Sequence, residues 1–121
     1  MKLLFFVIVA ILLVNIPDSF SELDMSTNSK VYSPNHNLQV YGTGIPDDNL
    51  ILRLFAPDGT IAKFDQFTTN VDGSFNYNLL TWPTASTEFP YGTYLVEVIS
   101  TQNKESKQIE IKFAETTNLE H

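Results

Sequence analysis

The chain contains no cysteine, which excludes disulfide bonds, thiolate metal sites, thiol nucleophiles and a lipidated cysteine. Positive charge is also scarce, because 7 Lys and Arg residues stand against 14 Asp and Glu residues, giving a net charge of -7. Nucleic acids and anionic membranes bind positively charged surfaces, so neither is expected as a partner. At 121 residues, the chain has room for one ordinary domain.

No apolar run is long enough to cross a membrane as a helix. The longest, residues 3–14, is 12 residues long, whereas a spanning helix needs roughly 20. The small residues Ser19 and Ser21 follow it at the spacing of a cleavage site. The pattern predicts a signal peptide over residues 1–21, cut before Glu22, and a mature protein without a transmembrane segment. An uncleaved N-terminal anchor is the alternative, and in both cases the domain is secreted or displayed on the extracellular cell surface.

Helical periodicity is absent from the remaining chain, which favours β-structure. Beyond residue 21 there are 23 Val, Ile and Thr residues but only 4 Ala. Two Gly-containing turns, Ala56–Gly59 and Asn70–Gly73, are expected to close hairpins between consecutive strands. We predict an all-β, seven-stranded sandwich domain over residues 22–113, followed by a polar tail over residues 114–121. The predicted strands are about 24–32, 37–42, 49–55, 61–68, 74–80, 92–100 and 107–113.

Alternation of apolar and polar residues selects the buried face of most predicted strands. Residues 61–68 are the exception, because Ile61, Phe64 and Phe67 do not share one parity, and a bulge or an edge position would explain this. Tyr94 is predicted to lie inward at the corner before the sixth strand, with its hydroxyl bonded to nearby backbone. The predicted core consists of Leu38, Val40, Leu50, Leu52, Leu54, Phe75, Tyr77, Leu79, Tyr94, Val96, Val98, Ile109, Ile111 and Phe113.

Four segments in sequence order resemble a known group of domains. They are Lys30–Pro34 with Leu38–Gly44, Leu54–Gly59, Asp72–Phe75 and Pro90–Val96. The series resembles bacterial and archaeal Ig-like, macroglobulin-like extracellular surface domains over about residues 31–113. Asn35-His36 stands where those domains usually have a Pro-Gly turn. Seven strands separated by turns about every 8 to 12 residues already point to an Ig-like sandwich, with strands A, B, C, C', E, F and G in order. The resemblance implies an extracellular structural or adhesive role. It carries over no catalytic residue.

Candidates for chemistry are few. His36 has no partner in the sequence that would make a catalytic site, and we interpret it as a solvated turn residue. Asp47 and Asp48, with Asp72 or Glu88, are conceivable calcium ligands, but the dense acidic spacing of a calcium loop is missing and a solvated loop is favoured. No metal, cofactor or enzymatic activity is expected.

A group of aromatic residues lies on the long connection between the fifth and sixth predicted strands. Trp82, Phe89 and Tyr91 would stack sugar rings if they were exposed, whereas packing over the open end of the core is the favoured interpretation. Two other functions therefore remain open beside a surface module. One is a carbohydrate-binding sandwich. The other is a donor-strand filament subunit, in which residues 22–30 would extend away from the domain.

The inward assignment leaves six residues pointing outward on the third and sixth predicted strands. These strands are neighbours in an Ig-type sheet, which places the six on one outer face. Apolar residues ringed by polar ones often mark a contact surface, although a face covered by the chain's own loops or by strand C' is an equal alternative. The predicted function is a non-enzymatic interaction module that binds a protein partner or itself at the cell surface. The predicted face consists of Ile51, Arg53, Phe55, Leu95, Glu97 and Ile99.

Overall fold

The computed structural model describes residues 23–116, and the predicted signal peptide, its cleavage site and residues 117–121 lie outside that range. The described chain is all-β and contains no helix, as the composition predicts. No helix capable of spanning a membrane therefore occurs between residues 23 and 116. The eight strands are β1 (Asp24–Thr27), β2 (Val31–Tyr32), β3 (Asn37–Thr43), β4 (Asn49–Phe55), β5 (Ile61–Thr68), β6 (Ser74–Thr81), β7 (Gly92–Ser100) and β8 (Ser106–Phe113).

The strands form two sheets that enclose one core, which confirms the predicted β-sandwich. The smaller sheet has the strand order β1-β3-β6, and the larger has the order β2-β8-β7-β4-β5. All neighbouring strands are antiparallel except β2 and β8, which are parallel. Strands β4 and β7 are paired in the larger sheet, and this pairing positions the candidate face.

The count of seven strands is wrong, because the first predicted strand divides between the two sheets. Its first half, β1, pairs with β3, and its second half, β2, pairs with β8. Asn28 causes the division. Its Oδ1 accepts hydrogen bonds from the backbone N–H of Gln39 at 3.1 Å and from the hydroxyl of Tyr32 at 2.6 Å. A side chain thus replaces the backbone partner at the bend and lets the chain cross to the other sheet.

The core contains most of the predicted residues, but also several that alternation does not indicate. Tyr77 and Ile109 are only partly buried, whereas the other predicted core residues are buried. Trp82 is fully buried and stacks on Phe113, with ring centroids 4.4 Å apart. The core residues outside the predicted set are Leu23, Met25, Tyr32, Ala56 and Trp82, and the burial of Trp82 agrees with the favoured interpretation of the long connection.

One of the two predicted hairpins is wrong. The turn at residues 56–59 joins the paired strands β4 and β5, as expected. The turn at residues 70–73 instead leads from β5 in one sheet to β6 in the other. Gly73 has a φ of 88°, and a Cβ there would lie 2.3 Å from the backbone oxygen of Gly44. Glycine is therefore required both by the left-handed backbone and by close packing against the loop between β3 and β4.

A bulge explains the parity of β5. Leu54 pairs with Lys63, but Phe55 pairs with Ile61, so β5 has one extra residue at Ala62. Directly opposite residues in an antiparallel pair share a face, and Leu54 points inward while Phe55 points outward. Ile61 and Phe64 consequently point outward and Phe67 points inward. Phe67 stacks on Tyr77 of β6 at a centroid distance of 4.6 Å.

Candidate interaction face

The structure brings the six predicted face residues together as three cross-strand pairs. Ile51 lies opposite Ile99, Arg53 opposite Glu97, and Phe55 opposite Leu95. All six belong to the central strands β4 and β7 of the larger sheet. The pairing follows from the two alternating patterns and the antiparallel register, so two apolar pairs flank one charged pair on the outer face.

Both carboxylate oxygens of Glu97, in the charged pair at the centre of the face, accept hydrogen bonds. The Nε of Arg53 donates to Oε1 of Glu97 at 2.7 Å, and its terminal nitrogen also contacts that oxygen. The Nε2 of Gln108 donates to Oε2 of Glu97 at 3.0 Å. The guanidinium lies 5.2 Å from the ring centre of Phe55. Only 9% of the Glu97 side chain is exposed, and its charge is paired with Arg53. A partner that covers this face would therefore bury no unpaired charge.

The face extends onto β5, where two large apolar side chains are exposed. Ile61 is 51% exposed and Phe64 is 53% exposed. Ile61 lies opposite Phe55, and Phe64 lies opposite Arg53. Alternation alone does not assign Ile61 and Phe64 to the outer face, because the bulge at Ala62 interrupts it. We call the resulting surface the outer patch, and its apolar members are Ile51, Phe55, Ile61, Phe64, Leu95 and Ile99.

Polar residues border the outer patch on both sides. Gln66 of β5 lies opposite Ile51, while Ser106 and Glu110 of β8 lie opposite Ile99 and Leu95. Apolar side chains surrounded by polar ones are the usual anatomy of a protein contact surface. The arrangement can bury apolar area against a partner, and its central ion pair can fix orientation.

The three aromatic residues proposed for sugar stacking do not form an exposed platform, and Trp82 is not available for stacking. Its side chain is 0% exposed, and its ring meets Tyr94 edge-on at 5.0 Å. Phe89 is partly buried and meets the edge of the Trp82 ring at 6.3 Å. Tyr91 alone is well exposed, at 44%, and its ring packs on Phe113. The connection therefore covers one end of the core with its aromatic residues.

His36 lies in the turn before β3 and is exposed. The Ser33 hydroxyl lies 3.4 Å from its Nδ1 and 3.3 Å from its Nε2. A Ser–His catalytic pair needs a group that orients the ring through its second nitrogen. Within residues 23–116, the only hydrogen-bond partner of the ring is Ser33. The geometry matches a polar turn.

The acidic residues considered for calcium are separated or already bound. Asp48 is buried, and its Oδ2 accepts a 2.5 Å hydrogen bond from the hydroxyl of Ser100. Asp72 accepts hydrogen bonds from Ser74 in its own turn, which lower the pKa of Asp72. Glu88 lines a cavity of about 360 Å³ at the opposite end of β4, roughly 20 Å from Asp48. No group of three potential ligands occurs among the described residues.

Asp48 instead holds three loops together at one end of the sandwich. Its backbone N–H donates to the Thr69 hydroxyl at 2.8 Å, and its carbonyl accepts from the Thr69 N–H at 2.8 Å. The Thr69 hydroxyl then donates to the carbonyl of Ile45 at 2.6 Å. With the bonds from Ser100 and Thr101, the carboxylate links the β3–β4 loop to the β7–β8 turn. Buried networks of this kind rigidify a fold when every member is bonded.

Comparison with known proteins finds distant structural similarity only. No family model and no curated protein matches the chain. A carbohydrate acetylesterase from Xanthomonas citri is 15% identical with a TM-score of 0.49, over 69% of this chain and 16% of that one. PorZ, a surface component of the type-IX secretion system of Porphyromonas gingivalis, is 15% identical with a TM-score of 0.49, over 74% of this chain and 11% of that one. The chain thus spans less than a fifth of either protein.

Proposed function

We propose that the chain is a non-enzymatic, extracellular Ig-like module that binds a protein partner through the outer patch. The observation that carries this proposal is the patch itself. Six apolar side chains from β4, β5 and β7 surround an ion pair in which both carboxylate oxygens of Glu97 are hydrogen-bonded. A solvated sheet face needs no such apolar content, whereas a contact surface does.

The strand order supports the Ig-like part of the proposal. If β1 and β2 are taken as the two halves of strand A, the smaller sheet reads A-B-E and the larger reads A-G-F-C-C'. The Tyr94 hydroxyl donates to the carbonyl of Pro90 at 2.7 Å, four residues upstream. That bond has the form of the tyrosine corner found at the E–F connection of Ig domains. The extracellular part rests on the apolar run at residues 3–14.

The two other candidate functions lack the features that they need. A sugar platform requires Trp82 and Tyr91 to be exposed and coplanar, but Trp82 lies in the core. A donor-strand subunit requires the N-terminal segment to extend away from the domain, but β1 pairs with β3. We therefore favour a complete domain that presents one face to a partner.

A pair of charge substitutions tests the outer patch. In the Ile51→Lys/Leu95→Lys variant, two ammonium groups enter the contact, and we expect binding to the partner to weaken at least tenfold, about 1.4 kcal/mol or more. The matched control is Asn76→Lys/Asn78→Lys, which adds the same charge to exposed positions of β6 on the smaller sheet. The measurement is crosslinking of the tagged full chain in the cells that produce it, followed by quantitative mass spectrometry of the captured proteins.

The proposal requires one protein to be captured by the wild type and the control and to be lost from the patch variant. Thermal melting shows whether each variant folds. Equal capture by all three proteins would contradict the proposal. So would a patch variant that fails to fold, because its side chains would then belong to the core.

A further inference from the structure

Strand β5 has a free edge with a backbone group available for pairing. It lies at the end of the larger sheet, and among the described residues, 23–116, it pairs only with β4. In an antiparallel pair, every second residue of a strand forms backbone hydrogen bonds with the neighbouring strand. The Thr69 N–H donates to the Asp48 carbonyl at 2.8 Å, so the residues of β5 that bond to β4 after the bulge are the odd-numbered ones. The backbone N–H and C=O of Phe64 and Gln66 therefore point away from β4. The Gln66 N–H is bonded to Asp65 Oδ1 at 3.0 Å, and no bond to the Phe64 N–H occurs within residues 23–116.

Two opposite charges flank Phe64 on the inner side of this edge. Lys63 lies opposite Leu54, and Asp65 lies opposite Leu52. Asp65 accepts a hydrogen bond from the Tyr77 hydroxyl of the facing sheet, and this bond to the carboxylate raises the pKa of Tyr77. The ammonium of Lys63 has no ion-pair partner in the described part of the chain. Each carboxylate oxygen of Asp65 can still accept a second hydrogen bond.

We propose that the β5 edge pairs with the β5 edge of a second copy of the chain, antiparallel and with the two-fold axis beside Phe64. In this register, the Phe64 backbone groups of the two copies bond to each other twice. Lys63 of each copy lies opposite Asp65 of the other, and the two Phe64 rings lie side by side on the outer face. Directly opposite side chains that flank a hydrogen-bonded pair have Cβ atoms about 4.5–5.5 Å apart, within reach of an ion pair.

The charges select this register over its neighbours. A two-fold axis at residue 65 or 63 would place Asp65 opposite Asp65 or Lys63 opposite Lys63. An axis at Gln66 would place Asp65 opposite Phe67 and leave Lys63 without a carboxylate. Inward charges and a bulge normally protect an edge strand from indiscriminate pairing. Here they exclude other strands while matching a second copy of the same strand.

The pairing would join the two larger sheets into one continuous sheet of ten strands. It would also place the two outer patches next to each other, with the Phe64 rings between them. The inference goes beyond the proposed function, because the β5 edge can pair whether or not the outer patch binds another protein. Each copy carries a net charge of -7, which opposes association, so we expect a weak, concentration-dependent dimer.

Complementary charge reversals test the register. Lys63→Glu and Asp65→Lys each place like charges opposite one another, so we expect each variant alone to lose the dimer. Mixed together, the two variants restore both ion pairs and should form a heterodimer. The measurement is sedimentation velocity of the full chain over a concentration series, with thermal melting to check folding. The matched control is Lys30→Glu, which makes the same charge change at an exposed residue outside β5 and should dimerise like the wild type.

A monomeric wild type at every concentration would overturn the inference, as would a Lys63→Glu variant that dimerises normally or a mixture that stays monomeric. If Asp65→Lys fails to fold through loss of the Tyr77 bond, Phe64→Pro serves as the second variant. Proline has no backbone N–H, and the N–H of residue 64 points away from β4. The substitution therefore keeps the hydrogen bonds to β4 but removes the bond between the two copies. It should be folded and monomeric, and a normal dimer would overturn the inference. The Ile51→Lys/Leu95→Lys variant leaves β5 unchanged and should still dimerise. Loss of the dimer and loss of partner binding can therefore be told apart.

Discussion

Replacing Trp82 by alanine is expected to lower the free energy of unfolding by about 3–5 kcal/mol. The ring is fully buried against aromatic residues of the larger sheet, stacked on Phe113 and edge-on to Tyr94. Its removal would leave a cavity that the neighbouring aromatic rings cannot fill without leaving their rotamers. Urea denaturation measured by circular dichroism gives the change.

Trp82→Phe is the matched control. The indole Nε1 makes no hydrogen bond in the described part of the protein, so its removal leaves no other polar group without a partner. We expect phenylalanine to cost clearly less than alanine, because most of the ring volume remains. A loss of less than about 1 kcal/mol for Trp82→Ala would contradict the core assignment and reopen the sugar-stacking interpretation.

Replacing Tyr94 by alanine is expected to cost a similar amount, about 3–5 kcal/mol, because a buried ring is removed. Tyr94→Phe separates the ring from its hydroxyl. This variant keeps the packing and loses only the hydrogen bond to the Pro90 carbonyl, a loss of about 0.5–1.5 kcal/mol. Chemical denaturation of both variants gives the two values. Equal losses from the two substitutions would show that the ring is not packed as described.

The hydroxyl of Tyr94 also predicts a dependence of stability on alkaline pH. Burial raises the pKa of Tyr94 from 10.0 to about 12, and the negative charge of Asp58 contributes. The folded state thus retains this proton more strongly than the unfolded state. The resulting stabilisation is full below pH 10 and is lost as the pH rises from 10 towards 12. Tyr94→Phe should remove this component, which denaturation at pH 9, 10 and 11 would detect. An identical pH profile in both proteins would contradict the assignment.

Much of the fold can be predicted from alternation because a half-buried strand repeats every two residues. The bounds of β4 and β7 and the inward direction of Leu52 and Val96 follow directly from that pattern. Features that break the period cannot be predicted in this way. The bulge at Ala62 reverses the parity of β5, and the Asn28 side chain diverts the first strand through its hydrogen bond to Gln39. The mixed parity of Ile61, Phe64 and Phe67 indicates a bulge or an edge position without deciding between them, and the diversion at Asn28 has no local sequence signal.

The candidate face, too, can be predicted from the sequence only in part. Its central pair, Arg53 and Glu97, can be predicted because both strands alternate and are neighbours. Its extension to Ile61 and Phe64 cannot be predicted, because it depends on the bulge. Trp82 lies on a connection rather than a strand, and no periodicity indicates whether such a side chain is buried. The aromatic rings of Tyr94 and Phe113 that pack against it determine that.

A protein partner that binds the chain as proposed docks on the outer patch. Site-specific photo-crosslinking in the producing cells tests this docking most directly, with the crosslinking residue at Leu95 or, as the control, at Asn78 on the smaller sheet. We expect a discrete adduct with one partner protein from position 95, absent from position 78 and lost when Ile51→Lys is added. Adducts from position 78 alone, or equally from both positions, would contradict it.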